Sequence, residues 1–371
     1  MATMAQAIRL ALHYGEEHLG VTDIFGEDVG PPLGGVFTCT QGLRTAWNSP
    51  LDERGIIGMA MGIAMAGRRP VAEIQFCDYV FNAIDLLKLA GNAGWGSNGA
   101  YHLPMVVMTP VGSGIHGSIY HSHSFESMMT HVPGWKVVMP STPLDAYGLM
   151  LSALQDPNPV MYLPPKALLR TKGDELIPGE PEDARQLHAQ IDAPLGDRTQ
   201  WKPQWPNLRE YLVPFGKARR VREGRNATVV SYGRLVPVCQ KAVDELSAEG
   251  LAFDLFDLRS LVPLDWEAIT SSVARTHRLL VVNEDTEVTN FGEHVIRGVL
   301  DRAWGELDAA PVLLAGADVP GIGMAWTLEA ASVPQQADVV AALRQLARAP
   351  ARAAAEGGGL LQLPTRLSRY R

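Results

Sequence analysis

The chain is poor in the residues that several specialised chemistries require. Only three cysteines, Cys39, Cys77 and Cys239, occur among 371 residues, too few and too far apart for a disulfide framework or a Cys-x-x-Cys metal site. Basic side chains are in deficit. Against 40 Asp and Glu there are 32 Lys and Arg, a net charge of -8, which argues against the clustered basic surface of a nucleic-acid-binding module. Long apolar runs are missing too: the longest nearly uncharged one, residues 55–67, is too short to span a bilayer. The opening MATMAQAIRLALHYGEEHLG carries charges at helical spacing and has no apolar signal core before a small-residue cleavage site. The expectation is a cytoplasmic protein, neither secreted nor membrane-spanning. No repeat of fixed period occurs, which excludes solenoids and propellers.

What is present is ordinary globular material, 46 % apolar and 19 % charged, enough to bury a core. At about 150 residues per domain the length suggests two domains. As far as residue 171, helix and strand patterns take turns. AQAIRLALHYGEEHL, IIGMAMGIAMAG, NAIDLLKLAGNAG and PLDAYGLMLSAL read as helices; VTDIFG, PVAEIQF, LPMVVMTP, KVVMPS and PVMYLP read as strands. Strands apolar on both faces, alternating with helices, predict an α/β fold built on a parallel sheet. Residues 172–214 lose periodicity and are rich in Pro, charge and Trp, the pattern of a linker pinned down by Trp201 and Trp205. A second, smaller α/β alternation fills 215–348, and 349–371 reads as a frayed tail.

Three stretches could carry chemistry. Asp52 and Glu53 precede a small-residue helix, where a carboxylate serves either as a cap or, facing an apolar cavity, as an acid that keeps its proton. Glu73 sits in an apolar strand, and Gln75, Phe76, Asp78 and Tyr79 fall where that strand ends. The carboxyl edge of a parallel sheet is a ligand site, and a ring beside an amide suits a flat heteroaromatic ligand. The loop GSGIHGSIYHSHSFE holds His116, His121 and His123. Its G-x-G-x-x-G match lacks the apolar helix and acidic residue of a dinucleotide site, so the glycines read as places of close backbone approach. The H-x-H pair His121 and His123 leaves a metallohydrolase as one reading.

Three ordered blocks point further. FGEDVGPPLGGVF, SPLDERGIIGMAMGIAMAGRRPVAEIQFCDYVFNAID and SIYHSHSFESMMTHVPGWKVVMPSTPLDAYGLMLSALQDPNPVMYLPPKALLR resemble the beta subunits of thiamine-diphosphate-dependent 2-oxo acid dehydrogenases. The resemblance continues through DLRSLVPLDWEAI. It implies a pyrimidine-binding domain over 1–171 and a transketolase C-terminal-like domain over 215–348, with 172–214 as an insertion longer than the family norm. It implies that Glu53 protonates the ring nitrogen of the aminopyrimidine, that an apolar setting raises the pKa of Glu53, and that Leu51, Gln75 and Tyr79 contact the ring. His121 matches the loop histidine of reductive acylation; His123 stands where the family has Gln. Structural potassium is expected near Asp156 and Asn158.

The Gly-Asp-Gly run ending in Asn, which holds the diphosphate through magnesium, is absent from the sequence. A diphosphate with its metal needs such ligands, so the resemblance implies an alpha subunit that supplies them in an α2β2 assembly. The dihydrolipoyl acyltransferase core is the second implied partner. AEIQFCDY and YHSHSFE sit nearer the branched-chain subgroup than the pyruvate one. The alternatives are a pyruvate- or acetoin-type subunit, the metallohydrolase and a catalytically silent scaffold.

Overall fold

The computed structural model describes residues 1–196, 198 and 200–351. The expected tail therefore lies almost wholly outside the described residues. The strands are β1 (Val21–Gly26), β2 (Ala46–Asn48), β3 (Arg69–Glu73), β4 (Val106–Met108), β5 (Lys136–Val138), β6 (Val160–Tyr162), β7 (Arg219–Arg222), β8 (Thr228–Ser231), β9 (Asp254–Asp257), β10 (Ser260–Val262), β11 (Leu279–Thr286) and β12 (Val312–Gly316). The helices are α1 (Met4–His18), α2 (Glu53–Met65), α3 (Ile84–Gly96), α4 (Glu126–Thr130), α5 (Pro143–Gln155), α6 (Ala184–Ile191), α7 (Leu235–Ser247), α8 (Trp266–Thr276), α9 (Phe291–Ala303), α10 (Trp326–Ser332) and α11 (Gln336–Arg348).

Local chemistry accounts for the first helix. Thr3 accepts from the Gln6 amide at 3.3 Å while the Gln6 side chain accepts from the Thr3 amide at 2.9 Å, a reciprocal cap. Ile8, Ala11 and Leu12 then fall on one face and are fully buried. A seven-stranded sheet runs in the order β10-β5-β6-β4-β3-β1-β2, and a five-stranded one in the order β12-β11-β8-β9-β7. All pairings are parallel except β10 with β5 and β7 with β9. This is the predicted α/β architecture.

The two units are joined more firmly than the sequence suggests. β10 crosses from the second unit to pair with β5 of the first, and the Met139 amide donates to the Arg259 carbonyl at 2.8 Å. Trp135 and Val137 share one buried cluster with Leu258, Leu261, Ile269 and Val295. Both sheets thus drain into a common core, and the second unit forms a wall beside the carboxyl edge of the first.

The segment expected as an aperiodic linker differs from that expectation. It contains α6, whose Leu187 and Ile191 point into the same buried cluster as α1 and α5, along with Ile177, Leu208 and Val213. Buried Arg9 reaches out of α1 to Asp192 and to the Ile191 carbonyl, at 2.7 and 2.6 Å. Trp205 stacks on His13 with centroids 4.2 Å apart. An eight-residue helix with two apolar anchors is too short for a periodic signal; tertiary burial stabilises it.

Candidate active site

The carboxyl ends of β2, β1, β3 and β4 lie side by side, the edge at which parallel sheets bind ligands. Leu51 and Glu53 follow β2, Gln75 and Tyr79 follow β3, and His121 lies in the long loop after β4. Strand order therefore brings together five residues that the sequence scatters.

At one side, α2 opens on Glu53, with Asp52 at the N-cap position making no side-chain capping bond. The carboxylate of Glu53 sits where the helix amides favour negative charge and accepts a hydrogen bond from the Asn82 amide at 2.9 Å. The apolar shelter expected around Glu53 is not met within this chain. Glu53 is half-buried, Asn82 is exposed, and Leu51 is 70 % exposed. Leu51, Asp52 and Arg54 around it are exposed, so packing among the described residues leaves this carboxylate partly open.

At the other side the groups are tightly held. The Gln75 amide donates to the Glu27 carbonyl at 3.1 Å. The Tyr79 hydroxyl lies 2.8 Å from His121 Nε2, and His121 Nδ1 lies 3.0 Å from the Gly117 carbonyl. A carbonyl can only accept, so Nδ1 carries a hydrogen, and in the neutral ring the Nε2 lone pair accepts from the hydroxyl. Buried Phe76 meets His121 edge-on at 4.5 Å, and the buried Lys166 ammonium lies 5.7 Å from the Phe76 ring. Burial and the carboxylates of Asp78, Glu27 and Glu53 push the Tyr79 hydroxyl above its ordinary pKa. Burial, Asp28 and Glu53 do the same to Glu27. The half-site is thus negative, with one amide, one oriented imidazole and an uncovered leucine.

Glu73 lies just below this edge. Its side chain is 2 % exposed with Oε2 unpartnered, and burial pushes its carboxyl up to about 7. Asn82, Glu27 and Lys166 were not signalled by the sequence. Asn82 stands three residues after Tyr79 on a 3-10 turn over Cys77–Ala83, a spacing with no motif attached to it.

The histidine loop is braced by the second unit. Glu284 accepts from the Ser113 amide and hydroxyl at 3.2 and 2.8 Å, and Glu329 from the Gly114 amide at 2.5 Å. Gly112, at φ +84°, admits Glu284: a Cβ there would lie 2.1 Å from Oε1. The close approach expected of these glycines is therefore made by side chains of the second unit. Both ring nitrogens of His121 are engaged, and exposed His123 packs against Phe81 at 5.5 Å. Among the described residues no three His, Cys, Asp or Glu side chains are grouped to hold a metal ion, so the H-x-H pair gains no third ligand.

Asp156 and Asn158 lie apart from all of these, at the amino end of β6 on the opposite edge. Lys136 ion-pairs with Asp156, whose Oδ1 accepts from the Asn158 amide at 2.9 Å. Both side chains are engaged, with each other and with Lys136.

Comparison with known proteins agrees with this arrangement. Residues 1–172 match the family model of the transketolase pyrimidine-binding domain, and residues 216–339 that of the transketolase C-terminal domain. A split-gene transketolase, solved as an inactive beta4 tetramer, superposes with a TM-score of 0.68 over 94 % of this chain and 99 % of its own, at 18 % identity. The fold and the half-site define a transketolase-type architecture, of a class that uses thiamine diphosphate. The 2-oxoisovalerate dehydrogenase subunit beta of Bacillus subtilis (strain 168) is 36 % identical over 92 % of this chain and 97 % of its own. The pyruvate dehydrogenase E1 component subunit beta of Acholeplasma laidlawii is 35 % identical over 94 % and 98 %. The chain belongs to the family of beta subunits of the thiamine-diphosphate-dependent 2-oxo acid dehydrogenases. No helix among the described residues is long and apolar enough to cross a membrane.

Proposed function

We propose that the chain is the beta subunit of the decarboxylating component of a branched-chain 2-oxo acid dehydrogenase complex, active with an alpha subunit that covers the open half-site. The observation that carries this reading is the convergence of Glu53, Gln75, Tyr79 and His121 on one sheet edge beside a leucine that is 70 % exposed. An aminopyrimidine fits these groups: a carboxyl for its ring nitrogen, an amide for its polar edge, and Leu51 as an apolar support. Thiamine diphosphate, when bound, supplies the carbon nucleophile and the electron sink for loss of carbon dioxide.

The chain's own residues do the rest. Glu53 holds and returns a proton at the pyrimidine nitrogen, and exclusion of water by the covering subunit would raise its proton affinity. Asn82 aims that carboxylate. His121 receives a proton at Nε2, beside the Tyr79 oxygen, and delivers it as the acyl group passes to the lipoyl group of the acyltransferase. Magnesium, on this reading, is held mainly by the alpha subunit. Three free, buried cysteines suit a reducing cytoplasm. The branched-chain preference rests on AEIQFCDY and YHSHSFE; a pyruvate-type relative at 35 % identity keeps pyruvate as the second reading.

The test is reconstitution of the alpha–beta pair with thiamine diphosphate and magnesium. The pair should decarboxylate 2-oxoisovalerate with a higher kcat/KM than pyruvate and acylate a lipoyl domain, and the lone beta chain should do neither. Turnover by the lone chain would overturn the shared-site reading, and preference for pyruvate would overturn the substrate assignment.

A further inference from the structure

On the flank of the first unit, far along the chain from the residues of the sheet edge, the 172–214 segment closes over a two-part cavity. One part, about 520 Å3, is lined by Arg170, Lys172, Arg185, His188 and Arg198. The adjoining part, about 660 Å3, is lined by Pro31, Pro32, Leu33, Gly42 and Trp201. Gln41, Ala193 and Arg198 border both. Each volume falls in the range of small-molecule sites, roughly 300–1,000 Å3, and none of Leu51, Glu53, Gln75, Tyr79 or His121 lines either part.

The charge in the first part is unbalanced. Its single lining acid among the described residues is Asp192. That carboxylate already binds buried Arg9, the Gln6 amide at 2.7 Å and His188 at 2.5 Å. Arg170 makes one long contact, 3.4 Å to the Thr38 hydroxyl, and Arg198 donates to the Pro194 carbonyl at 3.2 Å. Arg170, Lys172, Arg185 and Arg198 form no ion pair among the described residues. In a chain of net charge -8, four cations without an ion pair among the described residues line one concavity, a positive setting that favours a multiply charged anion.

The second part is of different character. Trp201 packs against Gly42, whose φ is +76° and whose Cβ would sit 3.0 Å from the indole Cη2 and Cζ3 and from the Pro203 ring. With the two prolines and Leu33 the ring lines an apolar wall that suits a flat body. Arg198 stands at the junction of the two parts.

We propose that this cavity binds a nucleotide-like organic phosphate, its phosphates among Arg170, Lys172, Arg185 and Arg198 and its base against Trp201. The inference is independent of the reading under Proposed function, and its test needs no turnover. Calorimetric titration of the full chain with ADP should give one site per chain. Adenosine, lacking the phosphates, and pyrophosphate, lacking the base, should each bind about tenfold or more weaker. The double variant Arg170→Ala with Arg185→Ala, at two exposed positions, should weaken ADP about tenfold or more while leaving the circular dichroism spectrum unchanged. Trp201→Ala should weaken ADP and leave pyrophosphate unaffected. The proposal is overturned by an absence of ADP binding at millimolar concentration. It is equally overturned by ADP binding that thiamine diphosphate displaces, or that the charge substitutions leave unchanged.

Discussion

Glu53 and Glu73 are the same side chain near the same sheet edge, and the fold treats them oppositely. Glu73 ends a strand paired on both edges, with β1 and with β4, inside the sheet. The carboxyl is 2 % exposed and its ordinary pKa is pushed to about 7 by burial. Glu53 opens a helix whose Ile56 and Ile57 are buried, but it is itself only half-buried, between exposed Asp52 and Arg54, and accepts from exposed Asn82. A carboxyl inside a sheet is desolvated by its own chain. One at the half-buried N-terminus of a helix is fully desolvated only by whatever docks on it.

The largest expected effect breaks the comparison on the side of function. Glu53→Gln, nearly isosteric, should lower 2-oxo acid decarboxylation by the alpha–beta pair by about 10²–10⁴-fold, the range for loss of a proton-transfer group, with no change in Tm. Glu73→Gln should leave more of that activity. Comparable losses from both variants would mean that Glu53 has no special part.

The next effect is on stability. The folded chain holds the Glu73 proton more tightly than the unfolded chain, whose carboxyl titrates at the ordinary value of 4.5. Stability from this group is therefore greatest below the unfolded value and falls as pH rises through the window from 4.5 to about 7. The loss is of order ~3 kcal/mol. Urea unfolding of Glu73→Gln at a series of pH values should flatten that slope. The slope is the readout, because the new amide N–H groups carry their own burial cost. An unchanged slope would assign the pH dependence to other buried acids, Glu126 first, whose carboxyl is also raised by burial and by Asp285.

The smallest effect sharpens the picture of Glu53. Asn82→Ala removes one hydrogen bond at an exposed position and should lower kcat/KM of the pair by about tenfold or less, without loss of Tm. A larger fall would give Asn82 a direct part beyond aiming the carboxylate.

Much of the fold is legible in the sequence because it is locally encoded. The helices over IIGMAMGIAMAG and PLDAYGLMLSAL and the strands over VTDIFG and PVAEIQF fall within a few residues of α2, α5, β1 and β3. The elements that differ or go unread are short and depend on distant partners. β10 is three residues that matter only because β5 lies beside them, and α6 is held by Arg9 and the core of the first unit. In the candidate site, the strand-end cluster of Gln75, Phe76 and Tyr79 and the histidine loop are readable as chemistry. Glu53 is readable only as a cap or a sheltered acid, Leu51 stands out only through the family resemblance, and the part of Asn82 is invisible without coordinates.

Periodicity, turn residues and apolar content act over a few neighbours, so the amino-acid order alone determined that this chain forms alternating helices and strands with covered parallel sheets. It also named the side chains able to move protons. Which of them meet, which lie on the opposite edge like Asp156, and which carboxyl loses its water were decided by strand order and by packing between segments far apart in the chain. Those are sums over contacts that no local window contains.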